Sequence, residues 1–158
     1  MAVFWWYNFS MTEPVPSEDQ EQMWFVEWLD EQGIPYWHTN NEMWTKSWKQ
    51  KSRAKAMGVK SGIPDLFLCF DGKLVGIEMK RTKGGTVSDN QKYWGTILEA
   101  AGIPCFVCRG RDHAVETVEE LLASEEVHMM PQKIIENAEK LKEMSEKKRK
   151  NKKNECPF

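Results

Sequence analysis

Three charged residues stand where a tight turn would bring two apolar runs together. The dipeptide Asp71-Gly72 separates the runs and is a strong signal for a two-residue β-hairpin turn. Counting outward from this turn places Asp65 directly opposite Glu78, and the two-residue period of a strand puts Lys80 on the same face. The spacing therefore predicts two carboxylates and one ammonium group side by side.

Directly opposed carboxylates repel each other and destabilise a sheet unless a cation lies between them. Oxygen ligands at this separation suit Mg²⁺ or Mn²⁺, and Lys80 could then orient or deprotonate a water molecule or offset charge on a phosphate. The alternative is a solvated strand face with a cross-strand ion pair. That alternative is weakened because the other residues of this face are apolar or small: Phe67, Cys69, Leu74 and Gly76.

Capping and periodicity signals predict the elements that must position these residues. Capping boxes at Ser17 and Ser88 each begin an amphipathic helix, and Gly33 and Gly102 end them. A helix between the second hairpin strand and a later strand makes those two strands parallel. The sequence thus predicts an α/β fold with an α-β-β-β-α-β core and a mixed sheet: helices from 17 and 88, strands 34–38, 65–70, 73–80 and 103–108, and further helices at 113–123 and 131–150.

Length and composition indicate one domain with appendages. The chain has 158 residues, which suffices for a single core. We expect a flexible arm over 1–16, a core domain over 17–123 and a helical extension with a basic tail over 124–158. The chain lacks a membrane-spanning apolar run and a signal peptide, so we expect a soluble, cytoplasmic protein. The Cys105-x-x-Cys108 pair would face opposite sides of a strand and is not expected to bind zinc.

Three segments resemble the VRR-NUC family of the PD-(D/E)xK nuclease superfamily, particularly its small stand-alone members from phages and bacteria. They are Gly58–Asp65, Ile77–Arg81 and Ser88–Gln91, and the resemblance covers about residues 17 to 122. It implies a restriction-endonuclease-like core that cuts DNA with Mg²⁺ or Mn²⁺. Asp65, Glu78 and the backbone carbonyl of Met79 would be the metal ligands, and Lys80 the catalytic lysine.

The same resemblance implies that Glu18 and Gln91 complete the site. Glu18 could instead be a first-turn acid favoured by the helix dipole, with Glu21 as the fallback for the catalytic position. Gln91 could instead be the third residue of its capping box, and we expect that a single rotamer cannot serve both roles.

Charge is sorted along a chain whose net charge is only −2. No Lys or Arg precedes Lys46, and the segment from there to Lys60 is rich in bases and contains no acid. We predict phosphate contacts from this segment because it leads directly into the Asp65 strand. Its tryptophans could stack on unpaired bases, although a buried stripe of an amphipathic helix is favoured for them. The predicted DNA-binding residues are Lys46, Lys49, Lys51, Arg53, Lys55, Lys60, Trp44 and Trp48.

Three functional hypotheses follow. The first is a structure-selective DNA endonuclease, and the resemblance implies branched substrates such as four-way junctions or flaps, and a homodimer. The second is a DNA-binding module of the same fold without activity, which the complete set of Asp65, Glu78 and Lys80 disfavours. The third is a partner-dependent subunit whose helical tail docks elsewhere.

Overall fold

A computed structural model describes residues 15–39 and 47–154, and these residues form five helices and four strands. The predicted arm over 1–16 lies almost entirely outside the described residues, so the proposed division into domains stays a prediction. The elements are α1 (Glu18–Gln32), β1 (Tyr36–His38), α2 (Trp48–Ala56), β2 (Leu66–Phe70), β3 (Lys73–Lys80), α3 (Asp89–Ala100), β4 (Cys105–Arg109), α4 (Gly110–Ala123) and α5 (Gln132–Asn154).

The four strands form one mixed sheet in the order β1-β2-β3-β4. Strands β2 and β3 pair antiparallel with Phe70 opposite Lys73, the register that the Asp71-Gly72 turn predicts. Strand β4 runs parallel to β3, as expected for a crossover through α3. The α-β-β-β-α-β order is confirmed, with α2 as an additional helix between β1 and β2.

One face of the sheet carries the core, which α1 and α4 cover. Ser17 caps α1 through the predicted capping box, and Gly33 ends the helix in the left-handed conformation. Trp24 of α1 is 43% exposed and lies outside the buried stripe of Phe25 and Leu29. The core is lined by Phe25, Leu29, Ile34, Leu66, Leu68, Phe70, Val75, Ile77, Met79, Cys108, Ala114, Val118, Leu121 and Val127.

Helix α4 begins three residues earlier than predicted. Gly110 has φ +84°, which lets the chain turn from β4 into the helix without a connecting loop. A methyl group at Gly110 would lie 2.7 Å from the Thr82 hydroxyl, so the close packing also requires glycine. The early start brings the N-terminus of α4 beside the end of β3.

Helix α5 carries only exposed side chains between 132 and 150, apart from a half-buried Ile135. Ile134, Leu141 and Met144 are each more than half exposed. None of the helices in the described part of the chain is long and apolar enough to cross a membrane.

Candidate active site

The tight turn of the hairpin places the two predicted carboxylates at one end of β2 and β3. Asp65 immediately precedes β2, and the pairing of Leu66 with Ile77 continues outward to bring Asp65 opposite Glu78. The Asp65 carboxylate accepts a 2.9 Å hydrogen bond from the Met79 N–H. Since the N–H and C=O of a strand residue point toward the same neighbouring strand, the Met79 carbonyl also lies on the Asp65 side of β3.

Pro64 fixes the approach of the chain to Asp65. Its ring lies over Gly76 on β3, where a methyl group would come within 3.0 Å of the Pro64 side chain and 2.9 Å of the Cys105 sulfur. Gly76 therefore supplies the space in which Pro64 packs. This contact holds Asp65 at the mouth of the sheet face that carries Glu78.

Lys80 lies between two acids from different elements. Its Nζ is 2.6 Å from Glu78 Oε1 and 3.4 Å from Glu18 Oε1 at the start of α1. Lys80 and Glu78 are only 6% and 5% exposed, so this is a buried ion pair rather than a surface one. The structure thus brings Glu18 to the predicted site and removes the interpretation of the three charges as a solvated strand face.

Gln91 fills two roles that were expected to exclude each other, in the capping box and in the candidate site. Its side-chain Oε1 accepts from the Ser88 N–H at 2.7 Å, which closes the capping box of α3, while its Nε2 donates to Glu78 Oε1. The expectation that one rotamer cannot do both was wrong. It overlooked that the amide presents an acceptor and a donor on different atoms, so each end can serve one partner.

The electrostatics of the site are dominated by burial. Burial and, after it, the charge of the neighbouring Asp65 raise the pKa of Glu78 to about 7, against the opposing effect of Lys80. Burial also raises the pKa of Asp65, while the Met79 hydrogen bond and the Lys80 charge lower it. For Lys80, burial lowers the pKa, but the hydrogen bond and charge of Glu78 outweigh this, so the net direction is upward. Lys80 is thus an ammonium ion at neutral pH.

These residues line an open cleft of about 540 Å³. One wall is the loop at Gly62, whose φ is +87° and whose position leaves no room for a side chain, since a Cβ there would lie 2.6 Å from the Asn90 backbone. Asn90 also donates a 2.9 Å hydrogen bond to the Ser61 hydroxyl. Four further residues complete the walls: His38, Thr39, Ser61 and Asn90. Ser61 and Asn90 belong to segments that resemble the family, but no role was predicted for them, and β1 carries no local motif that would indicate His38 or Thr39.

Glu21, the fallback for Glu18, lies elsewhere. Its carboxylate is 6% exposed and accepts hydrogen bonds of 2.8 Å from the Thr82 hydroxyl and from the Arg111 N–H at the start of α4. Glu21 therefore joins α1 to α4 and the end of β3, whereas Glu18 faces the cleft. One helical turn separates these two functions on α1.

The basic segment forms helix α2, and none of its residues is buried. Trp48 is 82% exposed, so the favoured interpretation of this residue as part of a buried stripe was wrong. Its flanking bases are exposed as well, and Ala54 is the one half-buried residue of the helix. Lys49, Lys51, Arg53, Lys55 and Lys60 lie on exposed chain, whereas Trp44 and Lys46 lie outside the described residues.

Cys105 and Cys108 lie on opposite faces of β4. Cys108 is buried in the core, where its thiol contacts the Thr117 hydroxyl, and Cys105 lies on the side of Gly76. Among the residues that the structure describes, no group of three or more His, Cys, Asp or Glu side chains is arranged to hold a metal ion.

Comparison with known proteins agrees with this architecture. One solved structure, described as a VRR_NUC domain protein, superposes with a TM-score of 0.58 at 21% sequence identity, covering 68% of this chain and 89% of that one. No curated protein matches the sequence. The profile of the VRR-NUC domain matches residues 16–112, which is more than half of the chain and includes every element of the cleft. The chain therefore belongs to the VRR-NUC domain family and has a nuclease-type fold.

Proposed function

We propose that this protein is an endonuclease that hydrolyses DNA phosphodiester bonds with Mg²⁺ or Mn²⁺, and that its substrates are branched DNAs such as four-way junctions or flaps. The observation that carries the proposal is the convergence of Asp65, Glu78 and Lys80 in an open cleft. Partial or full burial of these charged groups lowers the stability of the fold. A purely structural cluster of this kind would be replaced by apolar residues with little loss of stability.

The donor set fits a hard divalent cation. Asp65 and Glu78 are opposed, largely desolvated carboxylates: burial raises the pKa of both, and the charge of Asp65 raises that of Glu78 as well. Positive charge between them would relieve this repulsion. Two carboxylates and the Met79 carbonyl leave half of an octahedral coordination sphere to water and phosphate oxygens, which is compatible with Mg²⁺.

The other side chains hold the reacting groups in place. When bound, a divalent cation supplies Lewis-acid activation of the phosphate and of the attacking water. Gln91 and Lys80 both donate to Glu78 Oε1, which fixes the orientation of that carboxylate. The second oxygen, Oε2, takes part in neither of these hydrogen bonds. Because Lys80 is an ammonium ion, it stabilises negative charge that develops on the phosphate, and a role as general base is disfavoured. Glu18 holds Lys80 from the opposite side.

Phosphates on either side of the cut need further positive charge. Helix α2 presents Lys49, Lys51, Arg53 and Lys55 on exposed chain, and it leads through the Gly62 loop to Asp65. We propose that this helix follows the DNA backbone toward the cleft, which makes recognition dependent on shape and charge rather than on base sequence. Homodimerisation, which the family resemblance implies, stays a prediction for this chain.

The test is cleavage of labelled duplex, flap and four-way-junction DNA with Mg²⁺, with closed circular DNA included to separate internal cutting from end digestion. Asp65→Asn is the diagnostic variant, because its side-chain carbonyl can still accept from the Met79 N–H and so preserves the fold. Glu27→Gln, which changes an exposed carboxylate of α1, is the matched control. We expect the unaltered protein and the control to cut branched DNA and Asp65→Asn to be inactive. Binding without cleavage by the unaltered protein would instead indicate a DNA-binding module.

A further inference from the structure

An aromatic pair lies on the same sheet face as the catalytic carboxylates. In the antiparallel pairing of β1 and β2, Trp37 stands opposite Phe67. Phe67 follows Asp65 by two positions and therefore shares its face of the sheet. Tyr36, the preceding residue of β1, points the other way and packs against the core. Trp37 and Phe67 thus lie beside the cleft, on the sheet face that carries Asp65 and Glu78, and toward β1, the outer strand of the sheet as described.

The geometry of this pair leaves one aromatic surface open. The two rings are stacked with centroids 5.2 Å apart and planes inclined by 18°. Phe67 is only 6% exposed, but Trp37 is 45% exposed even though it belongs to a strand. Because Phe67 covers one face of the indole, much of the exposed area must belong to its opposite face and edge. A large apolar ring held rigidly from one side is suited to accept a second planar ring on the other.

The distance from this surface to the carboxylates matches the spacing of a nucleic acid. Thr39, two residues after Trp37, donates its backbone N–H to the Asp65 carbonyl at 2.8 Å. Two positions along β1 span about 7 Å and one strand spacing across the sheet about 4.8 Å, so the backbones of Trp37 and Asp65 lie about 8 to 9 Å apart. A base in a stacked strand advances about 3.4 Å per step. A base on Trp37 would therefore belong to a nucleotide two or three positions from a phosphate held at Asp65.

We infer that Trp37, supported by Phe67, is a stacking subsite for an unpaired nucleobase near the phosphate that is cut. The inference rests on the proposed nuclease function and adds a reason for its selectivity. Bases in intact duplex are stacked on their neighbours and do not present a free face, whereas an unpaired base at a flap or junction does. Trp48, which is exposed on α2, belongs to a separate element and is not part of this subsite.

The test combines a protein change with a DNA change. Binding is measured by fluorescence anisotropy in EDTA, so that nothing is cut, with intact duplex and with a flap DNA that carries either normal bases or abasic sites at the unpaired positions. The proteins are the unaltered chain, Trp37→Ala, Trp37→Phe and Trp24→Ala. Trp24 is the matched control because it is equally exposed, at 43%, but lines a different groove with Trp28.

We expect Trp37→Ala to weaken flap binding by roughly 5- to 150-fold, the range for loss of one base-aromatic stack, with duplex binding unchanged. Trp37→Phe should retain most of the affinity, which separates loss of stacking from damage to β1. Abasic flap should bind the unaltered protein weakly and be indifferent to Trp37→Ala, since each change removes the same contact. Trp24→Ala should match the unaltered protein.

Two results would overturn this inference alone, and a third would overturn the proposed function together with it. Equal weakening of duplex and flap binding would show that Trp37 supports the surface in general, and unchanged flap binding would show that no base stacks there. In both cases the nuclease proposal survives if branched DNA is still cut. If the unaltered protein neither binds nor cuts any of the DNAs, the proposed function fails and the subsite fails with it.

Discussion

Replacing Glu78 with glutamine should stabilise the metal-free protein while destroying the proposed metal site. The pKa of Glu78 rises from 4.5 to about 7 on folding, chiefly through burial. Each pKa unit corresponds to about 1.4 kcal/mol, so ionised Glu78 costs the folded state about 3 kcal/mol. Between these pH values the folded protein binds more protons than the unfolded one, so the free energy of unfolding falls as pH rises through the window. Glutamine resembles the neutral carboxyl and does not pay this cost.

The assay is urea unfolding in EDTA at about pH 5 and about pH 8, followed by circular dichroism. At about pH 8 Glu78→Gln should be more stable than the unaltered protein by up to about 3 kcal/mol, and the difference should shrink strongly toward about pH 5. Glu27→Gln, on the exposed side of α1, should show no such pH-dependent gain. A Glu78→Gln protein that is less stable at about pH 8 would refute the reasoning, because the ion pair with Lys80 would then outweigh the cost of burial.

Three further predictions concern the ligands and walls of the cleft. Calorimetry without DNA should detect Mn²⁺ binding that Asp65→Asn abolishes, and saturation at about 100 times the dissociation constant should stabilise the unaltered protein by about 2.7 kcal/mol; retained binding would exclude Asp65 as a ligand. Gln91→Glu keeps the acceptor for Ser88 but replaces the donor to Glu78 with an oxygen that repels it, so the melting temperature should fall and cleavage should fall about 10- to 100-fold; unchanged cleavage would show that the Glu78 contact is not used. Gly62→Ala must displace the loop from Asn90, and cleavage should fall on the order of 100-fold, measured against Gly84→Ala, whose Cβ meets nothing within 4 Å at a similarly positive φ.

Local signals accounted for most of the fold. The Asp71-Gly72 turn fixed the register of β2 and β3, and two capping boxes located the starts of α1 and α3. Signals of this kind act over three or four residues, so they survive in a single sequence. The start of α4 was missed because it depends on a tertiary contact, the packing of Gly110 against Thr82, for which no neighbouring residue gives a sign.

The exposure of the tryptophans could not be predicted from local sequence signals. Two tryptophans four residues apart in a basic segment match the spacing of a buried helical stripe, yet Trp48 is 82% exposed and no residue of α2 is buried. Periodicity states which residues share a face, but not whether anything covers that face. Trp37 was equally undetermined, since its exposure depends on β1 being the edge of the sheet and on Phe67 lying beneath it.

Gln91 holds the buried carboxylate of Glu78 in a fixed orientation. Glu78 is buried beside Asp65, so its orientation needs donors, and Lys80 supplies only one of them. A second donor on a free side chain would lose rotamer entropy on binding. Gln91 is already held by the Ser88 N–H as part of the capping box, so its remaining amide hydrogens are directed at Glu78 without that additional loss. The same contact that begins α3 therefore preorganises the carboxylate, and the helix cannot move without disturbing the proposed catalytic centre.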